Sequence, residues 1–332
     1  MKPHLLALLC CPGCGGDLSL RQAFEKGGEI ERGVLICVSC DRKYPIEKWV
    51  PRFVEDNGDT NNFGLQWNHF RQTQLDSHTG VPISRNRFFR QTGWAPDQLV
   101  GKIVLDVGCG AGRFAEVALS CGAQVVAVDS SSAVDACWAN LSPHPRLHVM
   151  QADVYAFPFR PEQFDFVYCL GVLQHTPQVH EALLALVTQL AQGGRLAVDV
   201  YLRSLRSGCH PKYWLRPLTT RLAPDRLFSL VERAAPGLLQ VSRVVRRIPG
   251  LGPYLSRLVP VANYEGVYPL SRSQLTELAV LDTYDWLSPR WDQPQRPETL
   301  RAWLVEAGLE EIEVFVAHHL TGRALKPVQS AN

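Results

Sequence analysis

The distribution of hydrophobic residues changes near residue 100. From Ile103 onward, short apolar runs alternate with stretches of helical spacing. The runs IVLDV, QVVAVD, RLHVMQ and FDFVYC come first, and the helical stretch VHEALLALVTQLAQGG leads to a fifth run, RLAVDVY. Continuous apolar runs are typical of strands that are buried on both faces. The alternation predicts a doubly wound α/β sheet that binds its ligand at the carboxyl ends of the strands.

Helical spacing also precedes the first of these strands. Phe63, Trp67, Phe70 and Gln74 recur at this spacing within residues 62–80, and residues 85–94 continue the pattern. We expect residues 57–100 to form either a helical cap over the ligand or a helix that docks the N-terminal region onto the core.

Composition places the chain among globular proteins. Its 332 residues are 46% hydrophobic and 20% charged, which is ordinary for a folded domain. The apolar run at residues 5–9 is too short for a secretory signal, and the sequence lacks the ~18 to 20 apolar residues of a spanning helix. We expect a cytoplasmic protein, with a membrane-peripheral location as an alternative.

Charge is concentrated in one segment. Residues 201–260 hold eleven lysines or arginines but only two acids, whereas the whole chain has a net charge of +2. Because apolar residues alternate with these cations, the segment could contact a membrane surface, a phosphate-bearing substrate or RNA, or form a helical lid with solvated arginines.

Cysteine spacing in the N-terminal region predicts a metal site. Cys11 and Cys14 form one C-x-x-C pair, and Cys37 and Cys40 form a second. Two such pairs suit tetrahedral Zn²⁺, and four thiolates leave no open position, so the site would be structural. A redox C-x-x-C is the alternative. Cys10 falls outside the spacing. The remaining cysteines are read as buried or incidental thiols: Cys109, Cys121, Cys137, Cys169 and Cys209.

A glycine-rich turn follows the first core strand. Gly108, Gly110 and Gly112 form G-x-G-x-G, which departs from the dinucleotide fingerprint because Arg113 stands where a small residue is expected. Asp129 ends the next strand, where an acid can accept from ribose hydroxyls. Asp153 follows the third strand, where it could accept from an adenine amino group, and residues 152–159 offer apolar surface for the ring.

Two parts of the chain resemble known families. The cysteine pairs with RKYPIEKWVPRF, over residues 5–54, resemble zinc-ribbon proteins of the methyltransferase-activator type. The motifs LDVGCGAGRF, VVAVDSS, QADVYAFPF and FDFVYCLGVLQHTP resemble class I S-adenosylmethionine-dependent methyltransferases with a type 11-like core, in the branch that includes quinone-biosynthesis C-methyltransferases. Residues 300–314 resemble that family's last helix and the following strand.

The second resemblance implies a Rossmann-like seven-stranded sheet and a set of site residues. The implied cofactor-binding residues are Asp106, Gly108, Cys109, Gly110, Gly112, Asp129, Ser130, Ala152, Asp153, Val154, Leu170 and Gly171. His175 is the candidate general base, with a capping or packing histidine as the alternative, and Gln174 is a weaker candidate for the site. His318 and His319 have no acid or cysteine nearby in sequence and are read as structural. The resemblance also places an aromatic loop over the mouth of the site: Tyr284, Trp286, Pro289, Trp291 and Asp292.

These patterns together predict four regions and a function. The regions are a zinc ribbon (1–56), a helical cap or linker (57–100), a methyltransferase core (101–202 and 294–328) and a helical basic insertion after the fifth strand (203–293). We expect methyl transfer from S-adenosylmethionine to a small-molecule or lipid- or glycan-linked, anionic acceptor. The alternatives are an RNA methyltransferase and a non-catalytic scaffold that only binds the cofactor.

Overall fold

The N-terminal domain is a small antiparallel sheet. The computed structural model describes residues 1–54, 60–204 and 210–328. A short 3-10 turn, Pro3–Leu8, precedes strands β1 (Leu18–Lys26), β2 (Glu29–Cys37), β3 (Lys43–Glu47) and β4 (Val50–Pro51), which pair in that order. Leu35 pairs with Tyr44, and both side chains are buried beside Ile46. The cysteine pairs lie at the turns of this sheet.

Three helices connect this domain to the main sheet. They are α1 (Asn61–His69), α2 (Asp76–Thr79) and α3 (Ile83–Thr92), followed by a 3-10 turn at Pro96–Leu99. Gly80 and Gly93 follow α2 and α3 with φ of 71° and 69°, the left-handed conformation that commonly ends a helix. The helical spacing predicted for this region is therefore present, although it is divided by turns.

The main sheet has seven strands. In chain order its elements are β5 (Ile103–Val107), α4 (Arg113–Ser120), β6 (Gln124–Asp129), α5 (Ala133–Leu141), β7 (Leu147–Gln151), β8 (Phe164–Cys169), α6 (Val179–Gln189) and β9 (Leu190–Val200). The sheet order is β10-β11-β9-β8-β5-β6-β7, where β10 is Glu310–Val316 and β11 is Leu320–Leu325; β11 runs antiparallel to both of its neighbours, and the other neighbouring strands are parallel. The strand order reverses between β5 and β8, which is where such sheets bind ligands. The predicted fold is confirmed.

Both faces of this sheet are covered. Val104 belongs to a core with α3 and α4, whereas its neighbour Leu105 belongs to a core with α6 and the later helix α11 (Pro297–Glu306) on the opposite face. This two-sided burial explains why the strands appear in the sequence as unbroken apolar runs.

A helical insertion separates β9 from the last elements. It contains α7 (Pro211–Thr219), α8 (Pro224–Arg246), α9 (Gly252–Leu255) and α10 (Arg272–Leu287), and α11 (Pro297–Glu306), β10 (Glu310–Val316) and β11 (Leu320–Leu325) complete the core. Leu227 and Phe228 of α8 share a core with Leu281 and Tyr284 of α10. The insertion therefore has its own hydrophobic core.

Two element boundaries differ from those expected. Residues 190–194, predicted to continue α6, begin β9 instead. A side chain at Gly194 would lie 2.8 Å from the Ala191 carbonyl and 3.1 Å from that of Asp165, so the glycine permits a close approach of β9 to β8. Tyr284 and Trp286, predicted in a loop, lie in α10, because their side chains face the insertion core and the cavity described below.

The N-terminal domain covers the edge of the main sheet at β7. The Phe53 N–H donates to the Gln151 carbonyl at 2.7 Å, and Arg52 forms a parallel bridge with Gln151. The Arg52 guanidinium also contacts the Asp135 carboxylate at 2.7 Å. Pairing at this edge satisfies backbone groups that an exposed strand would leave open.

Candidate functional site

One large cavity lies at the carboxyl ends of the central strands. Its volume is about 1100 Å³, which is more than an ordinary small-molecule site requires. The predicted residues that line it are Gly108, Cys109, Gly110, Asp129, Ser130, Ala152, Asp153, Val154, Leu170, Gly171 and His175. The structure thus brings most of the predicted site together.

Asp106 and Gly112 do not line this cavity. Asp106 is 2% exposed within β5, and burial raises the pKa of its carboxyl group to about 7. Gly112 precedes α4 with φ of 92°, and a side chain there would lie 2.7 Å from Leu141. Asp106 thus precedes the glycine-rich loop and Gly112 ends it without lining the cavity, and their contact with a cofactor stays a prediction.

The glycine-rich loop is held in place by the neighbouring strand. The N–H groups of Gly108 and Cys109 donate to the Val128 carbonyl at 2.7 and 3.0 Å. Gly108 has φ of 76°, and a side chain there would overlap Val172. Arg113, the departure from the dinucleotide fingerprint, donates to Ser84 at 3.2 Å and so ties the loop to α3.

Asp129 joins the loop to the end of β6. One carboxylate oxygen accepts from the Gly110 N–H at 3.0 Å, and the other accepts from the Ser131 N–H at 2.9 Å and the Ser131 hydroxyl at 2.7 Å. Burial raises the pKa of Asp129, while these three donors favour its charged form. Since each carboxylate oxygen has two lone pairs, Asp129 can still accept from a ligand.

Asp153 lies two residues beyond β7. One of its oxygens accepts from the Tyr155 N–H at 3.1 Å, and the other oxygen has no hydrogen-bond partner among the described residues. Phe53 and Val54, at the end of the N-terminal domain, line the same cavity. The N-terminal domain therefore contributes directly to the wall of the site.

Helix α1 lies over the glycine-rich loop. Its Phe63, Gln66 and Trp67 side chains line the cavity, and a side chain at Gly110 would lie 3.2 Å from the Trp67 ring. The helix packs against α5 of the core and against α8 and α10 of the insertion. It therefore lies between the core and the insertion, where the cap interpretation expects it.

His175 is held by a backbone carbonyl. Its Nδ1 lies 3.0 Å from the Trp291 carbonyl oxygen, and since a carbonyl only accepts, Nδ1 carries the proton. Nε2 is buried and has no hydrogen-bond partner among the described residues. Burial lowers the pKa of the ring, so His175 is neutral near pH 7 and Nε2 has a free lone pair. The adjacent Gln174 is fully buried and does not line the cavity.

A buried carboxylate organises a second group of cavity residues. Asp199, on β9, is fully buried and accepts from Arg87 at 3.0 Å and from Gln91. His319 Nδ1 lies 3.3 Å from the same oxygen. Burial alone would raise the pKa of Asp199, but the charges of His319 and Arg87 hold it below its usual range. The Gly171 N–H donates to the other oxygen, so this network also positions the end of β8.

The partner of His319 corrects the sequence interpretation. No acid lies near His319 in sequence, but β11 pairs antiparallel with β9 and aligns Thr321 with Asp199. Both His318 and His319 line the cavity. A carboxylate inside the apolar run RLAVDVY was the one sequence signal that pointed to this network.

The insertion supplies an aromatic and acidic end of the cavity. Its lining residues there are Lys212, Tyr213, Tyr264, Tyr268, Asp282, Asp285 and Trp286. Burial raises the pKa of Asp282 to about 6, and the hydrogen bond from Tyr264 opposes that rise. Lys212 pairs with Asp292 at 2.7 Å and lies 4.1 Å from the Tyr201 ring centroid. Sequence reasoning missed the acids because no family motif covers the insertion.

The four predicted cysteine ligands lie together. Their Sγ atoms all lie within 4.8 Å of one another, and three measured separations are 3.7, 3.5 and 3.4 Å. A tetrahedron of sulfurs ~2.3 Å from zinc has edges of ~3.8 Å. The Tyr44 hydroxyl lies 3.1 Å from the sulfur of Cys11. Cys10 is outside this cluster, and Cys209 lies outside the described residues.

Comparisons with known proteins identify both domains. Residues 105–198 match the family described as methyltransferase domain, and residues 2–48 match the family described as Trm112p-like protein. The mitochondrial ubiquinone biosynthesis O-methyltransferase of Schizosaccharomyces pombe is 33% identical over 138 residues, which are 40% of this chain and 46% of that protein. The Stutzerimonas stutzeri ubiquinone biosynthesis O-methyltransferase is 34% identical over 109 residues, 30% of this chain and 44% of that one. The chain thus spans about half the length of these curated relatives.

Solved structures align weakly with this chain. A complex that contains the Haloferax volcanii Trm112 methyltransferase activator aligns with a TM-score of 0.47 and 10% identity, over 84% of this chain and 100% of that chain. An O-methyltransferase family 2 protein of Planctomyces limnophilus aligns with a TM-score of 0.43 and 14% identity, over 82% and 62%. The sequence matches are sufficient to state that this chain carries a methyltransferase domain preceded by a Trm112p-like domain.

Proposed function

We propose that the chain transfers a methyl group from S-adenosylmethionine to a hydroxyl group of a small-molecule or lipid- or glycan-linked acceptor. The observation that carries this proposal is a single cavity containing the glycine-rich loop, Asp129 and Asp153 together with His175 and an aromatic end. Such a cavity can hold a cofactor and an acceptor side by side, which is the main requirement for methyl transfer.

The lining residues fit this cofactor. Asp129 has one lone pair free for a ribose hydroxyl, Asp153 has an oxygen without a partner among the described residues for the adenine amino group, and Ala152 and Val154 offer apolar surface beside it. Val172 and Trp67 lie so close to the backbone of Gly108 and Gly110 that a side chain at either glycine would press against them. The cofactor supplies a methyl group activated by a sulfonium, so the protein chiefly positions the acceptor.

His175 would act as the general base. Its Nε2 lone pair can accept the proton that the acceptor hydroxyl loses as its oxygen bonds to the methyl group. The Trp291 carbonyl holds the ring, and the Phe63 and Tyr201 rings flank it at centroid distances of 5.5 Å. The names of the curated relatives support oxygen as the acceptor atom, in contrast to the carbon acceptor of the branch that the motifs first suggested.

Charge pairing in the cavity favours an uncharged acceptor. Arg87 and Lys212, two of the five lysines and arginines that line the cavity, are already paired with Asp199 and Asp292. Asp282 and Asp285 line the same end of the cavity. We therefore propose an aromatic or apolar acceptor with a hydroxyl group, in place of the anionic acceptor expected from the net charge of residues 201–260.

A structural zinc ion is part of this proposal. The four cysteine sulfurs have the chemistry and spacing of a closed tetrahedral site. The ion would stabilise the domain that covers β7 and that contributes Phe53 to the cavity wall.

Methyl transfer can be tested without knowing the acceptor. Purified protein and S-adenosylmethionine with a labelled methyl group are incubated with fractionated cell extract, and mass spectrometry identifies the labelled product. The proposal predicts label on the oxygen of an apolar or aromatic compound. Label on RNA alone would favour the RNA methyltransferase alternative, and cofactor binding without label in any fraction would favour a scaffold.

A further inference from the structure

We propose that one face of the insertion binds the surface of a bilayer that contains anionic lipid. This membrane face consists of Leu230, Val241, Val244, Ile248, Leu251, Tyr254, Leu255 and Leu258, with arginines beside them. The inference goes beyond the proposed methyl transfer, because lipid binding requires neither the cofactor nor the acceptor. The two proposals can therefore fail independently.

Helix α8 has apolar residues on two sides. One side, with Leu227, Val231 and Leu239, is buried against the insertion core. Leu230, Val241 and Val244 lie on another side and are 55%, 50% and 64% exposed. Their spacing in sequence places them along one stripe of the helix. A helix that only packed against the core would carry polar residues on that stripe.

The apolar surface continues past the end of α8. Ile248, Leu251, Tyr254, Leu255 and Leu258 follow within a short turn-rich segment that includes α9, and all are at least 40% exposed. Single exposed hydrophobic side chains are normal, but a contiguous group marks a binding surface. Tyr254 adds an aromatic ring with a polar hydroxyl, a side chain suited to the membrane–water interface.

The arginines around this apolar surface indicate that its binding partner is negatively charged. Arg226, Arg233 and Arg247 are exposed and form no ion pair among the described residues. Arg243 instead pairs with the Glu265 carboxylate, and Arg246 donates to the Glu265 backbone carbonyl at 2.9 Å. Residues 224–258 contain only two acids, Asp225 and Glu232. Basic residues beside an apolar stripe are the features of a segment that lies in an anionic lipid interface.

Other partners explain less of this surface. RNA binding relies on cations and on rings that stack with bases, and it does not require the row of exposed aliphatic side chains from Leu230 to Leu258. A second copy of the chain would bury the aliphatic residues but would also bring like-charged arginines together. None of the described helices is long and apolar enough to cross a bilayer, so contact would be at the surface.

The membrane face is connected to the acceptor end of the cavity. Helix α8 packs against α10, and Leu278 and Asp282 of α10 line the cavity. Arg243 and Arg246 bind Glu265, which is adjacent to the cavity residue Tyr264. A bilayer at this face would thus lie one helix layer from the acceptor site, an arrangement that suits an acceptor dissolved in or attached to lipid.

Vesicle sedimentation of the full chain tests the proposal. Vesicles of phosphatidylcholine alone are compared with vesicles that also contain phosphatidylglycerol. We expect the protein to sediment with the anionic vesicles, and added salt to reduce that binding. Val244→Glu/Leu251→Glu should lower the bound fraction at least tenfold, whereas Val100→Glu/Val305→Glu, at exposed valines elsewhere, should bind as the wild type does. Circular dichroism and cofactor titration establish that both variants fold.

Three results would overturn the proposal. The first is equal binding of wild type and Val244→Glu/Leu251→Glu to anionic vesicles. The second is light scattering that shows a stable dimer which the same variant dissociates, because the face would then join two copies. The third is tighter binding to single-stranded RNA than to vesicles, unchanged in the variant but lost in Arg233→Glu/Arg247→Glu.

Discussion

At the scale of single residues, His175 has the features of a general base. It is neutral, its ring is fixed by the Trp291 carbonyl, and its Nε2 has no partner among the described residues. We expect His175→Ala to lower kcat by about 10² to 10⁴-fold, with the affinity for S-adenosylmethionine unchanged. His78→Ala, at an exposed histidine, is the control. Labelled methyl transfer to the extract fraction that serves as acceptor measures both variants, and an unaltered kcat in His175→Ala would remove it from the mechanism.

The pH dependence of turnover follows from the same residue. Burial lowers the pKa of His175 below its ordinary value of about 6.5. A base must be unprotonated to accept a proton, so activity should be full at neutral pH and decrease only once the pH falls below that lowered pKa. A pH–rate profile that already lost activity as the pH fell from 8 to 7 would contradict this assignment.

Asp199 is the residue whose loss should cost most in stability. Asp199→Ala would leave the partly buried Arg87 without its carboxylate partner, and removing one member of a buried pair costs about 3 to 5 kcal/mol of unfolding free energy. Asp165→Ala, at a half-exposed acid on β8 that pairs with Lys102, should cost far less. Denaturant unfolding monitored by circular dichroism measures both.

The stabilisation by Asp199 has a predictable pH window. Its folded-state pKa is depressed, so its contribution is present above the unfolded value of about 3.9 and is lost as pH falls through the folded value. The difference in unfolding free energy between wild type and Asp199→Asn should therefore shrink below about pH 4. A difference that grew on acidification would contradict the ion-pair account.

At the scale of elements, the strands were predictable from the sequence because burial on both faces leaves an unbroken apolar run, as in Ile103–Val107. The end of α6 was not predictable in this way, since residues 190–194 have no pattern that separates a helix from a strand with a bulge. The Asp199 network depends on pairing between β9 and β11. Its members come from distant parts of the chain, so sequence spacing could not reveal them.

The predicted zinc site at the cysteine turns of the N-terminal domain can be tested by replacing single cysteines in the full chain. We expect about one zinc per chain by metal analysis, and less than a tenth of that in Cys37→Ser, because a structural site loses affinity with any one of its four ligands. Cys10→Ser is a matched control, since Cys10 adjoins the ligand Cys11 but lies outside the cluster. Equal zinc loss in both variants, or wild-type protein without zinc, would refute the site.

At the scale of the whole molecule, the N-terminal domain and the core form one site. Arg52 connects them through Gln151 and Asp135, and the next residue, Phe53, lines the cavity. The sequence predicted both domains and their chemistry. It could not predict that the first domain would cover β7, because neither the cysteine motif nor the apolar runs record which edge of the sheet is exposed.

Because Arg52 connects the two domains, we expect the loss of its ion pair with Asp135 to matter more than the loss of a second interdomain pair, Arg160–Asp17. Arg52→Ala should speed proteolysis between the domains and weaken cofactor binding, because it removes partly buried contacts beside Phe53. Arg160→Ala removes a more exposed pair with Asp17, and such pairs contribute about 0 to 1 kcal/mol. Limited proteolysis compares the two, and equal cleavage rates would show that Arg52 does not hold the domains together.

The central claim is that the cavity binds S-adenosylmethionine through Asp129, and isothermal titration tests it most directly. We predict one binding site in the wild type, at least tenfold weaker binding in Asp129→Ala, and wild-type affinity in Asp97→Ala, which alters an exposed acid outside the cavity. No binding to the wild type, or equal binding to wild type and Asp129→Ala, would contradict the account.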